Sequence, residues 1–315
     1  MAQQARRLQC RVLFAEPADM RMQQAIAAVI EQQLAIPVVI EDYPGRPADC
    51  ELLCARADWA ELGHQAALQL QRLNPVKKWS IEQASQMAEE PLLLGALLTS
   101  LGVVDGAVAG AVATTPDVIR AGLRGVGLAA NSGLVSSSFL MQHPNWVKSF
   151  GDCGVNPDPN SDQLAQIAID TARSHQLLTG QTPKIALLSF STLGSASHPS
   201  VDKVREATVL VKTMAAAIDP AWQVSGEVQA DVALVATVAA QKAPNEAIAG
   251  DANVLIFPDL SAGNIGYKLV ERLAGATAVG PLLQGFASPW LDLSRGCCSD
   301  DIVAAATIAA VFANQ

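Results

Sequence analysis

Charge is scarce in this chain. Only 16% of its 315 residues are Asp, Glu, Lys or Arg, against 50% apolar residues. A disordered chain needs the opposite balance, so the composition excludes one and leaves ample apolar surface for a large core. Positive charge is the scarcer kind: 21 Lys and Arg against 30 Asp and Glu give a formal net charge of −9. That excludes an extended nucleic-acid-binding face, which needs clustered cations to meet phosphates. A phosphorylated small molecule remains open, because a few arginines in a cleft outweigh the global sign locally.

Histidine and cysteine chemistry is thin as well. The four histidines, His64, His143, His175 and His198, do not cluster. The six cysteines, Cys10, Cys50, Cys54, Cys153, Cys297 and Cys298, fall in no zinc-ligand spacing. No metal and no disulfide framework is expected, and reduced thiols suit a cytoplasmic protein. The opening MAQQARRLQCRVLFAEPAD has too short an apolar run for a secretory signal. No membrane span is expected either. Residues 91–113 would suffice on length alone, yet Asp105 interrupts them and Gly102 and Gly106 divide them into a helix-like and a strand-like half. Basic anchors are missing from the flanks.

What the chain does have is alternation. Short apolar runs predict strands at Arg11–Phe14, Pro37–Ile40, Gly106–Ala109, Gly133–Phe139, Lys184–Phe190, Ala233–Val235 and Val254–Phe257. Longer periodic stretches predict helices at Met20–Gln33, Trp59–Gln71, Ile81–Thr99, Pro116–Val126, Ser161–Leu178, Pro199–Ile218, Ile265–Ala274 and Asp300–Ala313. Strands alternating with helices imply βαβ units and a largely parallel sheet covered on both faces. Turn residues concentrate at 143–160, with a second possible hinge near Gly280–Pro289. We therefore expect two α/β domains with an interdomain cleft, the first discontinuous (1–140 plus 282–315) and the second at 141–281.

Three segments carry candidate chemistry. In KIALLSFSTLGSASHPS, a buried strand runs through a Ser/Gly loop into a helix with Pro at its first turn. Gly194, Ser195 and Ser197 suit either an anion held on free backbone N–H groups or an ordinary turn capped by Ser197 or His198. In FPDLSAGNIGYKLVER, Gly263-Asn264 reads as a turn before a short helix. Lys268 and Arg272, four apart, form either a solvated basic face or an anion-facing pair. In DLSRGCCSDDIVAAATIAA, Ser299 reads as an N-cap with Asp300 and Asp301 in the first turn. The same stretch offers Ser294, Arg295 and Asp301 as a hydroxyl donor, a fixed cation and a carboxylate base, a set suited to acyl transfer.

With these segments in view, the chain resembles the phosphate acetyl/butyryltransferase family. The stretches that carry the likeness are VDGAVAGAVATTPDVIR (104–120), LVSSSFLM (134–141), GDCGVNPDPNSDQLAQIAI (151–169) and KIALLSFSTLGSASHPSVDKVREA (184–207). KAPNEAIAGDANVLIFPDLSAGNIGYKLVERL (242–273) and VGPLLQGFASPWLDLSRG (279–296) continue it, and VLFAEPADMR is similar to the family's opening strand and turn. The resemblance implies two α/β domains like those of the isocitrate and isopropylmalate dehydrogenases. It also implies a homodimer and reversible acetyl transfer between CoA and phosphate without an acyl-enzyme. By motif position, Asp301 takes the thiol proton, Arg295 neutralises the phosphoryl group and developing oxyanion, and Ser294 donates a hydrogen bond. Arg120 matches an arginine that binds CoA, and Arg272 and Cys153 match positions near the active site. CoA and acetyl-CoA enter as substrates, with no tightly bound cofactor. The family's basic loop before Ile81 reads RLNPVKKWSIEQA here, leaving Arg72, Lys77 and Lys78 as substitutes. Competing functions are a phosphate butyryltransferase, a non-catalytic acetyl-CoA sensor like the C-terminal regions of some malic enzymes, and a dehydrogenase of the same broad fold.

Overall fold

The protein's structure, a computed structural model, describes residues Met1–Asn314. The chain begins with α1 (Ala2–Leu8), β1 (Arg11–Phe14), α2 (Met20–Glu31), β2 (Ile36–Val39), β3 (Glu51–Leu52) and α3 (Trp59–Leu73). It continues with α4 (Ile81–Ala88), α5 (Pro91–Ser100), β4 (Gly106–Ala109) and α6 (Thr115–Gly125). Next come β5 (Ser136–His143), β6 (Trp146–Gly151), α7 (Ser161–Thr179), β7 (Lys184–Leu188), α8 (Pro199–Ile218) and β8 (Gln223–Val228). The last elements are α9 (Ala230–Leu234), α10 (Ala236–Lys242), β9 (Val254–Ile256), α11 (Leu260–Ala274), β10 (Thr277–Gln284), β11 (Trp290–Asp292) and α12 (Ser299–Phe312). Two compact units result: Met1–Asn131 with the chain from Phe286 onward, and Ser132–Gly285.

The first unit holds an all-parallel sheet in the order β11-β4-β1-β2-β3. Its central strands are short, because each needs only about four residues buried on both faces to run between covering helices. Val12, Leu13, Phe14, Val38, Val39, Ala107 and Val108 are fully enclosed. Trp290 fixes the edge strand: its ring is buried and its indole N–H donates to the Val118 carbonyl of α6 at 2.9 Å. Gly122 lets α6 lie against that ring, since a Cβ there would sit 2.6 Å from both Trp290 and Phe286.

The second unit is mixed rather than largely parallel, with strand order β10-β5-β6-β9-β7-β8. β6, β9, β7 and β8 run parallel, whereas β5 pairs antiparallel with both β10 and β6. The turn-rich stretch at 143–146 is therefore a hairpin turn, with His143 opposite Trp146, and lies within the second unit. The units divide at Asn131/Ser132 and Gly285/Phe286, where the sequence reading places 140/141 and 281/282. The expected helix at Ile81–Thr99 is two helices. Glu90 accepts from the N–H groups of Leu92 and Leu93 and so starts α5 afresh, with Pro91 as its first residue. The expected strand at Ala233–Val235 belongs to helix α9 and its C-cap, and β3, β6, β8, β10 and β11 were not foreseen. Residues 91–113 divide into α5 and β4, and among the described residues no helix is long and apolar enough to cross a membrane.

One buried base gives the second unit a pH signature. His175 on α7 is fully enclosed, with Nδ1 2.9 Å from Ser149 Oγ and Nε2 without a partner among the described residues. Burial pushes its pKa down to about 4, the Gln181 side chain partly opposes this, and the charge of Lys148 adds to the depression. The folded state thus binds fewer protons than the unfolded state between about pH 4 and 6.5, so this contribution rises with pH and is lost as pH falls through that window. Urea titrations across the window should show a steeper rise of stability with pH in the native protein than in His175→Gln. Parallel pH dependences would contradict the assignment.

Candidate active site

In the first unit, β11, β4 and β1 are parallel neighbours, so the loops that follow them leave the same sheet edge. Carboxyl ends of parallel strands are where such sheets bind ligands. Two residues that follow β1, one in the β1–α2 loop and one at the start of α2, organise that edge. Glu16 accepts four N–H groups of the loop after β4: Gly110 at 2.8 Å, Ala111 at 2.7 Å, Val112 at 3.1 Å and Ala113 at 2.6 Å. Arg21, in the first turn of α2, lies against the cap residue Asp19 with Nε–Oδ1 at 3.0 Å and Nη2–Oδ2 at 2.8 Å. That guanidinium holds the Asp19 carboxyl below the usual range, against partial burial. Its remaining N–H groups donate to the carbonyls of Ala111 (2.7 Å), Arg295 (2.7 Å) and Cys297 (3.0 Å).

The loop after β11 is thereby fastened by its backbone. Leu293 N–H donates to Ala109, and Cys297 N–H closes a turn on the Ser294 carbonyl at 2.9 Å. Ser294 Oγ accepts from Gly296 N–H at 3.2 Å. Ser294 and Arg295 stand exposed at the turn, and among the described residues the Arg295 guanidinium enters no hydrogen bond or ion pair. Asp301, also exposed, is the third residue of α12 and accepts the Cys298 N–H at 2.9 Å in a capping box. The N-cap is therefore Cys298, not the expected Ser299, which begins the helix. Ser294, Arg295 and Asp301 are brought to one loop and helix start. Arg120, on α6, is half exposed and pairs with Asp117 at 2.6 Å. Arg72 lies in the last turn of α3, and Lys77 and Lys78 occupy the turn after it; all three are exposed.

In the second unit the loops after β6, β7 and β9 share an edge in the same way. Asp152, buried, accepts Ser137 Oγ at 2.6 Å and the N–H groups of Gly154 (2.9 Å), Val155 (3.2 Å) and Asn156 (2.9 Å). Cys153 is fully enclosed beside it, and burial, with the Asp152 charge, pushes the thiol far above its ordinary range. It is a protonated core thiol rather than an exposed nucleophile or surface lining. Asn264 donates to the Cys153 carbonyl at 3.1 Å. Gly263 and Asn264 lie within α11, which Asp259 caps at Ala262, and not in a turn before it. Lys268 and Arg272 project from α11 exposed, Lys268 5.8 Å from the Tyr267 ring centre and Arg272 3.7 Å from Glu271.

The β7–α8 loop settles between its two readings. Gly194 N–H donates inward to Glu227 at 2.8 Å, and Ala196 N–H to Ser191 Oγ at 3.1 Å. Ser195 Oγ accepts Thr192 N–H at 3.0 Å, and His198, not the exposed Ser197, caps α8. Glu227 is nearly fully buried, with Arg205 on its far side at 3.2 Å. Burial raises its pKa, but Arg205, Gly194 and Ser191 outweigh that and hold it below the ordinary range. A carboxylate of the protein thus takes the Gly194 N–H that an anion cradle would need. Glu16, Arg21 and Glu227 escaped sequence reasoning; the signal available was a pair of charges, Glu16 and Arg21, directly after a buried strand.

This is an α/β protein whose fastened strand-end loops leave a hydroxyl, a guanidinium and a carboxylate facing outward, the outfit of a group-transfer enzyme. Residues 1–310 match the family described as phosphate acetyl/butaryl transferase, and the chain belongs to that family. It is 40% identical to the phosphate acetyltransferase of Clostridium acetobutylicum over 97% of this chain and 95% of that one. With the phosphate acetyltransferase of Thermoanaerobacterium thermosaccharolyticum it shares 47% identity over 71% of this chain and 69% of the relative. The EutD phosphotransacetylase of Staphylococcus aureus superimposes with a TM-score of 0.90 at 34% identity, covering 99% of this chain and 98% of that one. A 4-hydroxythreonine-4-phosphate dehydrogenase from Burkholderia phymatum, 13% identical with a TM-score of 0.53 over 96% of this chain and 98% of that one, shares the fold alone. The expected likeness of fold to dehydrogenases is met.

Glu16→Gln removes one of the two oxygens that serve Gly110, Ala111, Val112 and Ala113. We expect amide exchange at those four positions to accelerate, with a stability loss of about 1–3 kcal/mol. Unchanged exchange there would show that Glu16 does not hold the loop.

Proposed function

We propose that this protein is a phosphate acetyltransferase, interconverting acetyl-CoA and phosphate with CoA and acetyl phosphate. The observation that carries the reading is the Ser294–Arg295 turn, its backbone fastened by Arg21 while the Arg295 guanidinium stays free, in a chain of this family. The CoA sulfur bonds to the acetyl carbonyl carbon as the bond from that carbon to the phosphate oxygen breaks. The thiol proton passes to Asp301, and phosphate leaves with the electron pair. Arg295, a planar fork, neutralises the phosphoryl oxygens and the charge growing on the carbonyl oxygen. Ser294 Oγ donates to the same centre. Arg120 contacts CoA, which is a substrate and not a resident group. Arg272, Asn264 and Lys268 are further candidate polar contacts for substrate.

The protein acts as a cytoplasmic homodimer in this reading. All six cysteines are free thiols, consistent with a reducing compartment. Ile265, Leu269 and Leu273 form an exposed apolar stripe along α11, with Leu273 82% exposed, a surface a second copy would cover. Light scattering should report twice the chain mass at micromolar concentration; a monomer would contradict the dimer.

The activity is tested by steady-state formation of acyl-CoA from acetyl phosphate and CoA, with butyryl phosphate in parallel. Acetyl phosphate should be the better substrate, and absence of turnover with both would overturn the reading. Arg295→Ala and Arg295→Lys should each raise the barrier by about 2.7–4 kcal/mol, with thermal midpoints unchanged, because the side chain is not used in folding contacts. Near-native turnover in either variant would remove Arg295 from the chemistry.

A further inference from the structure

One buried ionisable group beneath the turn takes no part in the chemistry above. Asp292, the last residue of β11, is only 2% exposed. Its Oδ2 lies 2.6 Å from Thr115 Oγ1, at the first residue of α6. Among the described residues its Oδ1 has no hydrogen-bond partner. Gly110, at φ +102°, makes room for it: a Cβ there would strike Oδ1 and come within 2.8 Å of the Leu293 carbonyl and 2.9 Å of its nitrogen. Asp292 stands two residues before Ser294, and Thr115 five residues before Arg120.

We propose that Asp292 is a positioning residue for acyl transfer: its hydrogen bond with Thr115 fastens the Ser294–Arg295 turn to the start of the helix that carries Arg120. The role rests on the acetyltransferase reading above. Arg21 holds the turn from one side by its carbonyls; Asp292 and Thr115 hold it from beneath, where β11 ends. The end of β11, which pairs with β4, is thus joined to the start of α6 by one side-chain pair.

The energetics point the same way. Burial pushes the Asp292 carboxyl up to about 6; the Thr115 bond opposes this and the charge of Glu16, the charged neighbour facing it, adds to it. A raised carboxyl binds its proton more tightly in the folded state, so stability falls as pH rises between about 4 and 6 and stays lowered above that window. A carboxyl with one hydrogen bond therefore weakens the fold at neutral pH. Groups that break a stability rule concentrate at working sites.

Thr115→Val and Asp292→Ala remove the bond, whereas Asp292→Asn keeps the shape and an acceptor for Thr115 but never ionises. In the first two, kcat should fall about tenfold or more while KM for CoA and acetyl phosphate moves less than about threefold. Trypsin acting on the native protein should cut after Arg295 about fivefold faster or more in those two variants, read by mass spectrometry. Asp292→Asn should restore kcat to within about threefold of native, keep the slow cleavage, and raise the thermal midpoint at about pH 8 but not at about pH 4. Native kcat and native cleavage in Thr115→Val would overturn the proposal, as would an Asp292→Asn variant as impaired as Asp292→Ala. If the native enzyme turned over neither acyl phosphate, the acetyltransferase reading would fail alone. Cleavage after Arg295 would then decide the fastening by itself: acceleration supports it and an unchanged rate refutes it.

Discussion

Backbone N–H groups in loops that leave a parallel sheet have no strand to pair with, and this protein satisfies them with its own carboxylates. Glu16 takes four from the loop after β4, Asp152 takes three from the loop after β6, and Glu227 takes Gly194 from the loop after β7. A buried N–H without an acceptor costs about 1–3 kcal/mol, so each carboxylate selects one conformation of its loop. Those conformations exist before any ligand arrives.

That constraint decides which groups remain facing outward. In a phosphate-binding loop the backbone N–H groups are themselves the ligand site. Here they are filled from inside, and the outward-facing groups are side chains: Ser294, Arg295 and Asp301 in the first unit, Lys268 and Arg272 in the second. Arg21 is the cationic counterpart of the carboxylates, collecting three carbonyls from the loops after β4 and β11. A guanidinium engaged by Asp19 and three backbone carbonyls fixes the neighbouring Arg295 at its backbone while leaving that side chain's tip free. Preorganisation of this kind lowers the reorganisation needed when charge develops on the reacting carbonyl.

Much of the fold could be read from the chain because parallel strands buried on both faces are short apolar runs. Arg11–Phe14, Gly106–Ala109 and the helix Pro199–Ile218 stand where periodicity puts them. The strands that escaped lack such runs. β8 carries Gly226 and Glu227, β10 carries Gly280-Pro281, and β6 begins with half-buried residues at a hairpin. The split at Pro91 turns on a capping bond from Glu90 that an apolar pattern does not register. Ser294, Arg295 and Asp301 can be picked out together as candidates because they are neighbours in sequence. Glu16, whose N–H donors lie more than ninety residues away, and Asp292, which meets Thr115 across 177 residues, acquire meaning only from the sheet order that brings their strands together. Gly194 and Ser195 illustrate the converse: a glycine-serine loop suggests an anion site until a distant carboxylate is seen to fill it.

The central claim is that a carboxylate at the start of α12 receives the thiol proton while the loop beside it stabilises the reacting centre. Turnover of Asp301→Asn and Asp300→Asn, followed from about pH 6 to 9 with folding checked separately, tests it most directly. A CoA thiol is mostly protonated near neutral pH and ionises unaided near about pH 8.5. The account predicts that Asp301→Asn loses most of its turnover at neutral pH and regains part of it as pH rises, while Asp300→Asn stays close to the native enzyme. Equal losses in the two variants, or a greater loss at Asp300, would contradict it.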